Sequence, residues 1–382
     1  MGGSGWMSLH QRVARYWSAV VSGKARGAVA GIVRTLLVPP AWGYGVGVKL
    51  RNLCYDRQFW MFKTVRLPVA VVSVGNIAVG GTGKTPFVAL LAERLEAAGR
   101  KCCILSRGYG RGSEASQNDE YLMLRELLPT VPHLVGGERL LTGIQAILQF
   151  RCDVLILDDG FQHRKLARDL DIVLVDALQP LGLGHLLPRG RLRESAGGLG
   201  RSHLVCLTHS DLVQPEVLEE VSQRVRGLSP GVPILTAKHQ PRALRPVLPA
   251  GGEQPASSLA GKRVAAFCAL GSPRSFVEEV RRLGAEVVSQ ALFPDHHRFT
   301  VSEFQRLSAD ASEAGAELLL CTHKDAVKLP HDLAPPLPVL ALEMELVILR
   351  GEEHLREALS ALPVKVGPMR LRYQGEVDAA EP

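Results

Sequence analysis

Lys84 and Thr85 close the run Ala78-Val79-Gly80-Gly81-Thr82-Gly83-Lys84-Thr85, in which three glycines precede a lysine and a hydroxyl. Glycines at this spacing let backbone N–H groups close round phosphate oxygens at a helix N-terminus, where the dipole favours negative charge. All eight residues are therefore candidate nucleotide contacts, with Lys84 on the β- and γ-phosphates and Thr85 on magnesium. Ala78 stands where such a loop usually has its first glycine, so its turn must avoid positive φ. Farther on, Asp158 and Asp159 end an apolar run at 154–157 and open Asp158-Asp159-Gly160-Phe161-Gln162-His163. Paired carboxylates at a strand end suit magnesium: one holds the ion directly or through water, and the other orients it or the nucleophile. Arg189, Arg191 and Arg193 lie on a predicted loop. Their guanidinium groups could neutralise charge on a transferred phosphoryl group or grip an anionic acceptor, and a solvated basic loop explains them equally well.

These groups need strands to carry them. Residues 69–74 are a β-branched run short enough for a buried parallel strand, and Phe87, Leu90, Leu91 and Leu95 recur at helical spacing just beyond the glycines. Further apolar runs at 102–105, 154–157, 172–175 and 204–207 complete a predicted parallel sheet, whose ligands bind at the carboxyl ends of its strands. Asp119 and Glu120 open a predicted helix after a polar loop at 111–118; acids there favour the dipole, so capping accounts for Asp119 without any chemistry. Prolines and paired glycines from 236 onward predict a linker. Beyond it, strands at 264–270, 286–292 and 318–321 alternate with helices at 273–283 and 301–314, which fits a second α/β lobe. The expected division is 1–66, a basic amphipathic segment; 67–235, the nucleotide-binding core; 236–260, the linker; and 261–382, the smaller lobe. That lobe holds Asp295, His296 and His297 on one loop, an acid–imidazole set suited to proton transfer, although an ordinary loop histidine fits as well. It also holds Thr322-His323-Lys324-Asp325 which, like Thr208-His209-Ser210-Asp211, faintly matches the loop with which guanine-nucleotide proteins read their base.

At 382 residues the chain is long enough for a sizeable core and exceeds a comfortable single domain. Its seven cysteines show no C-x-x-C pair and mostly sit in apolar runs, so they read as reduced core residues. The net charge of +7 is localised: residues 1–55 carry seven Lys and Arg and no acid, and the remaining 38 basic and 38 acidic residues cancel. This points to one arm meeting an anionic surface, and no nucleic-acid motif is present. Residues 8–22 place Leu9, Val13, Tyr16, Trp17, Val20 and Val21 on one helical stripe, an interfacial pattern that could also pack on the protein's own core or belong to an organelle transit peptide. The apolar stretch at 27–48 is interrupted by Arg34 and Pro39-Pro40, so monotopic docking fits better than a spanning helix.

Taken in order, SVGNIAVGGTGKTP, LSRGYGRG, DDGFQHRKL, LLPRGRLRE, FPDHHRFT and THKDAVKL resemble the tetraacyldisaccharide 4'-kinase family of lipid A biosynthesis, from about residue 43 to residue 349. The resemblance implies a P-loop NTPase-type parallel sheet core with a second, smaller α/β lobe and an N-terminal membrane-associated helix. It also implies transfer of the ATP γ-phosphate, with Mg2+, to the 4'-hydroxyl of a tetraacylated glucosamine disaccharide 1-phosphate, at the cytoplasmic face of the bacterial inner membrane. The partners it implies are that glycolipid and an anionic membrane surface, with no nucleic acid. Carried over by position, Lys84 and Thr85 match the family's phosphate-loop pair, Asp158 and Asp159 its paired acids, and Arg193 the arginine of its Leu-Arg-Glu. Asp119 becomes the candidate catalytic base, and His296 its partner, with His297 the adjacent alternative. The sequence departs from the family at Ala78, at 268–273 and at His323, where the family has glutamate. Two other readings of the residues stand beside this one: a P-loop GTPase or metal-cofactor chaperone, and a membrane-tethered nucleotide-gated adaptor.

Overall fold

The structure, a computed structural model, describes residues 16, 19–21, 25–108, 119–270, 273–294, 297–330, 333–364 and 372–373. In chain order the principal elements are α1 (Ala28–Leu36), α2 (Val38–Asp56), β1 (Ala70–Asn76), α3 (Lys84–Ala97), β2 (Cys102–Ser106), α4 (Asp119–Leu127), β3 (His133–Val135), α5 (Arg139–Phe150), β4 (Val154–Asp158), β5 (Leu170–Asp176), β6 (Leu204–Thr208), α6 (Pro215–Leu228) and β7 (Ile234–Leu248). They continue with β8 (Arg263–Cys268), α7 (Pro273–Arg282), β9 (Glu286–Leu292), α8 (Val301–Glu313), β10 (Leu318–Thr322), β11 (Val339–Arg350) and α9 (Glu352–Ser360). The chain forms two compact units, neither contiguous in sequence: one comprises Met1–Gly108, Thr130–Lys238 and Val347–Pro382, the other Tyr109–Pro129 and His239–Leu346.

In the first unit β1 is central. It pairs in parallel with β4 on one side and β5 on the other; β4 continues to β2 and then β3, and β5 to β6 and the first residues of β7. Every residue of β1 and β4 is buried, as expected of strands covered on both faces. On one face Val69, Val71, Cys103, Leu105, Leu155 and Leu157 pack with Ala146 and Ile147 of α5. On the other, Val173, Val175, Val205 and Leu207 pack with Val221 and Val225 of α6. β4 is fourth among these strands in sequence but lies between β1 and β2, so the chain goes from β1 to β2 on one side and, after β4, crosses to β5 on the other. The crevice at that reversal, beyond the carboxyl ends of β1 and β4, is where such sheets bind ligands.

In the second unit β8 pairs in parallel with β9 and β10, and β10 with β11. Val264, Ala266 and Cys268 face Phe276, Val277 and Val280 of α7, while Ala265 and Phe267 face Phe304 and Leu307 of α8, the two-residue alternation of a sheet buried on both sides. The proline-rich stretch expected to be a linker is largely the strand β7. It pairs with β6 through residues 234–236 and carries Pro241 and Pro246 within its run.

The expected stripe at 8–22 lies almost wholly outside the described residues, as does the loop at 111–118. Arg34, the charge that breaks the apolar run, donates to the carbonyls of Val20 and Ala25. Pro39-Pro40 begin α2 instead of breaking it, in the first turn, where their missing N–H groups leave no hydrogen bond unmade. No helix among the described residues is long and apolar enough to cross a membrane.

Candidate active site

β1 ends at Asn76, and the chain enters the glycine run. Asn76 Nδ2 donates to Thr82 Oγ1 at 2.9 Å, and Thr82 N–H to the Gly80 carbonyl at 3.0 Å, so the loop is folded on itself. Gly80 at φ +144° and Gly83 at φ +78° take the turns forbidden to side chains, and Ala78 is not among the positive-φ residues. Lys84 is the first residue of α3, which places the loop's amides at a helix N-terminus. A second segment braces the loop: Val79 N–H donates to the Arg191 carbonyl, and Arg193 N–H to the Ile77 carbonyl, both at 2.8 Å. Arg191 itself turns to Gln179, 2.7 Å away, beside a cleft bounded by Ala78, Gly80 and Asp176.

β4 delivers Asp158 and Asp159 next to this loop because β4 is the neighbour of β1. Asp159 sits in the left-handed region at φ +53°. Its carboxylate takes both contacts from Arg193 Nη1, at 2.7 and 2.8 Å, and Lys84 Nζ lies 3.7 Å away. Burial works against its ionisation, but Lys84, Arg193 and Arg139 outweigh it and hold the pKa of Asp159 below the ordinary carboxylate value. Lys84, Asp159 and Arg193 thus form one charge cluster, assembled from three separate motifs.

Asp158 has a different environment. Its Oδ2 accepts from Ser106 Oγ at 3.1 Å, and that hydroxyl also meets His133 Nε2 at 2.7 Å. Since the single serine proton goes to the carboxylate, His133 must be the donor at Nε2. Burial pushes His133 down to about 4, so it is a neutral imidazole at physiological pH. Arg139, buried at the start of α5, donates to the backbone carbonyls of Asp158 and Asp159 and fixes the turn between them. Thr85 and Asp158 are both buried and offer a hydroxyl and a carboxylate, the hard oxygen donors that magnesium takes. No group of three His, Cys, Asp or Glu side chains gathers as a metal site among the described residues. The donor set fits magnesium.

Around Arg193 the support is dense. Gln162 Nε2 donates to the Asn76 carbonyl at 2.8 Å and to Glu194 Oε1 at 3.0 Å. Glu194, fully buried, is paired with Arg201 at 2.7 Å. The helix α2 joins here: Tyr44 donates to the Arg193 carbonyl at 2.7 Å, and Asn52 to Glu194 at 3.4 Å. Along α1 and α2, Val29, Ile32, Leu36, Trp42 and Leu50 are exposed, and Phe59, Trp60 and Met61 follow.

The second unit contains Asp119 at the first residue of α4, nearly buried, with Lys328 Nζ 3.9 Å from its Oδ2. Asp325 accepts from Ala269 N–H at 3.0 Å and Thr322 Oγ1 at 2.6 Å, and pairs with Lys328 at 2.7 Å. With no exposed surface, Asp325 is not available to read a nucleotide base, which corrects the faint match to a guanine loop. In the similar run after β6, His209 turns to Asp176, 3.0 Å away. Asp295 and His296 lie outside the described residues. His297 stacks on Phe293 and meets Glu303 at 3.2 Å, where Glu303 also completes the capping box of α8 with Thr300. Sequence reasoning gave no role to Ser106, His133, Arg139, Gln162, Glu194 or Lys328. Each has a partner from a distant part of the chain, between 19 and 209 positions away, and no local spacing marks them.

The chain matches over residues 33–363 the family model described as tetraacyldisaccharide-1-P 4'-kinase. A tetraacyldisaccharide 4'-kinase from Syntrophus aciditrophicus is 39% identical over 91% of this chain and 98% of its own length. One from Anaeromyxobacter sp. strain K is 41% identical, covering 88% and 91%. Among solved structures, that of LpxK from Aquifex aeolicus in complex with ATP aligns with a TM-score of 0.69 and 32% identity, over 86% of this chain and 98% of that one.

Proposed function

The chain belongs to the tetraacyldisaccharide-1-phosphate 4'-kinase family, and from that premise we propose how its residues carry the reaction. It is an ATP-dependent kinase of lipid A biosynthesis, acting on the 4' position of the disaccharide precursor. Phosphoryl transfer demands positioning and charge neutralisation more than covalent chemistry, and the cluster of Lys84, Asp159 and Arg193 at the end of β4 is the observation that supports this assignment of roles. The amides of 78–83 hold the triphosphate. Lys84 and Arg193 leave Asp159 for the phosphoryl oxygens as negative charge arrives, and Asp159 keeps both cations in place beforehand. Thr85 and Asp158 would hold magnesium, which would supply charge neutralisation on the triphosphate. Before nucleotide arrives Asp159 is paired with its two cations; once they turn to the phosphates it is released to hold or orient the ion beside Asp158. Asp119 takes the proton of the 4'-hydroxyl, with His296 as its partner. The contacts of His297 to Glu303 and Phe293 account for that residue structurally and favour His296 for the role.

The acceptor is the tetraacylated disaccharide 1-phosphate, met at an anionic membrane surface on the cytoplasmic face of the inner membrane. The exposed apolar side chains of α1 and α2 and the basic segment before them support monotopic docking. Because Tyr44 and Asn52 of α2 bond to Arg193 and Glu194, the docking helix also braces the arginine segment. The decisive experiment incubates the purified protein with γ-labelled ATP and the lipid acceptor in mixed micelles. Label is expected at the 4' position, and release of inorganic phosphate alone would overturn the assignment. Trp42→Glu with Trp60→Glu should weaken vesicle binding and leave ATP binding unchanged; equal loss of both would count against the docking face.

A further inference from the structure

Lys328 is a lysine with 4% of its side chain exposed, and one carboxylate, Asp325, already lies 2.7 Å from it and balances its charge. The fold therefore needs no second acid for electroneutrality, yet Lys328 Nζ also lies 3.9 Å from Asp119 Oδ2. Asp325 is itself immobilised, by the Ala269 amide and the Thr322 hydroxyl at the carboxyl ends of β8 and β10. The ammonium is thus a fixed point of the sheet and not a mobile surface charge. On its other side it lies 6.0 Å from the ring of Phe299, three positions beyond His296 in the chain, and Phe299 packs edge-on against Phe267 of β8 and His297. The opposite end of α4 is held by the same short segment, where His323 Nε2 meets Glu126 Oε2 at 2.8 Å, with Arg245 3.3 Å from that carboxylate. Residues 322–328 therefore grip α4 at both ends, at its penultimate residue through Glu126 and at its first residue through Lys328.

We propose that Lys328, anchored by Asp325, is a positioning residue for the reaction: it holds the Asp119 carboxylate in the orientation from which it accepts the acceptor hydroxyl's proton. The inference rests on Asp119 being the base. Lys328 touches neither nucleotide nor lipid in this account, so its loss acts on turnover through Asp119 alone. Displacing a reacting group by about 1 Å costs on the order of 100-fold in rate, and a lost tether to one of several partners costs less.

The test measures kcat and both KM values for Lys328→Met, Lys328→Arg, Asp119→Ala and the Asp119→Ala/Lys328→Met pair, using the full chain, labelled ATP and the lipid acceptor. Lys328→Met is expected to lower kcat about 10- to 100-fold with both KM values within about twofold, and Lys328→Arg to recover most of the loss. In the Asp119→Ala background, Lys328→Met should add nothing. Full turnover in Asp119→Ala would remove the base assignment itself. A dead Asp119→Ala beside a fully active Lys328→Met would overturn the inference and leave the base in place, as would a Lys328→Met loss that persists undiminished without Asp119. Should Lys328→Met lose its circular dichroism spectrum, Asp325→Asn decides: it keeps the lysine, releases its anchor, and is expected to lower kcat with both KM values unchanged, whereas wild-type kcat in it refutes the proposal.

Discussion

Asp159→Asn isolates the charge that holds Lys84 and Arg193 in the nucleotide-free protein. The amide keeps the shape of the carboxylate and removes its charge. At an effective dielectric of about 20, the attraction of Arg193 at 2.7 Å is about 6 kcal/mol and that of Lys84 at 3.7 Å about 4.5 kcal/mol. Most of this is spent on taking the carboxylate out of water, since burial is the largest single influence on its ionisation and opposes it. With 21% of the Asp159 side chain exposed, a net loss of about 1–3 kcal/mol remains, between the values for surface and buried pairs. That loss falls on the free protein. ATP brings its own negative charge to the same two cations, and in the variant it no longer competes with Asp159. Metal-free ATP should therefore bind about 5- to 150-fold more tightly to Asp159→Asn than to the wild type. Turnover with magnesium should fall by about two orders of magnitude, because the cations are no longer arranged in advance. Calorimetric titration of ATP in the presence of a chelator gives the affinity, and a thermal scan with and without ATP gives the stability. A folded variant with unchanged or weaker metal-free affinity would refute the competition between carboxylate and triphosphate.

Two further outcomes follow from burial. His133 and His163 are held near 4, the first by burial and the second by burial with Arg139 and Arg168 adding to it. The unfolded chain takes up these protons near 6.5 and the folded protein only near 4, so stability should fall as pH drops from about 6.5 towards 4, by up to about 1.4 kcal/mol per pH unit per histidine. Urea titrations across that window should show the slope, and His163→Gln should flatten it; a profile identical to wild type would contradict the assignment. Gly75→Ala would place its Cβ 2.6 Å from Phe161 Cβ and 2.8 Å from Phe161 N, and backbone cannot yield cheaply. A loss of about 1–3 kcal/mol in the same titration is expected, and an unchanged midpoint would show that the turn after Asp159 can move.

The parts legible in the sequence were those whose signal is local. The glycine run, the β-branched strand before it and the acids closing β4 declare themselves because a phosphate loop and a buried parallel strand are built from neighbours in the chain. The arginine loop was visible as a basic cluster, but only the structure separates Arg193, on Asp159, from Arg191, on Gln179. Burial was invisible for the same reason that pairing is: Lys328 and Asp325 look like surface charges until Ala269 and Thr322 enclose them. The prolines at 241 and 246 misled because composition alone cannot tell a linker from a strand that carries prolines. His133 and Arg139 gave no sign, since their partners Ser106 and Asp158 come from other strands.

The chain crosses between its two units four times, and residues 109–129 are folded with 239–346 although they lie between β2 and β3 in sequence. No single stretch of the gene therefore encodes either unit. A recombination event with its breakpoint near residue 238 would inherit α4 from one parent and residues 322–328 from the other, parting Asp119 from Lys328 and Glu126 from His323. Such pairs must drift together or be tested together, so the second unit cannot be traded between lineages as a cassette. Changes to that unit are then expected to accumulate by point substitution within an intact chain.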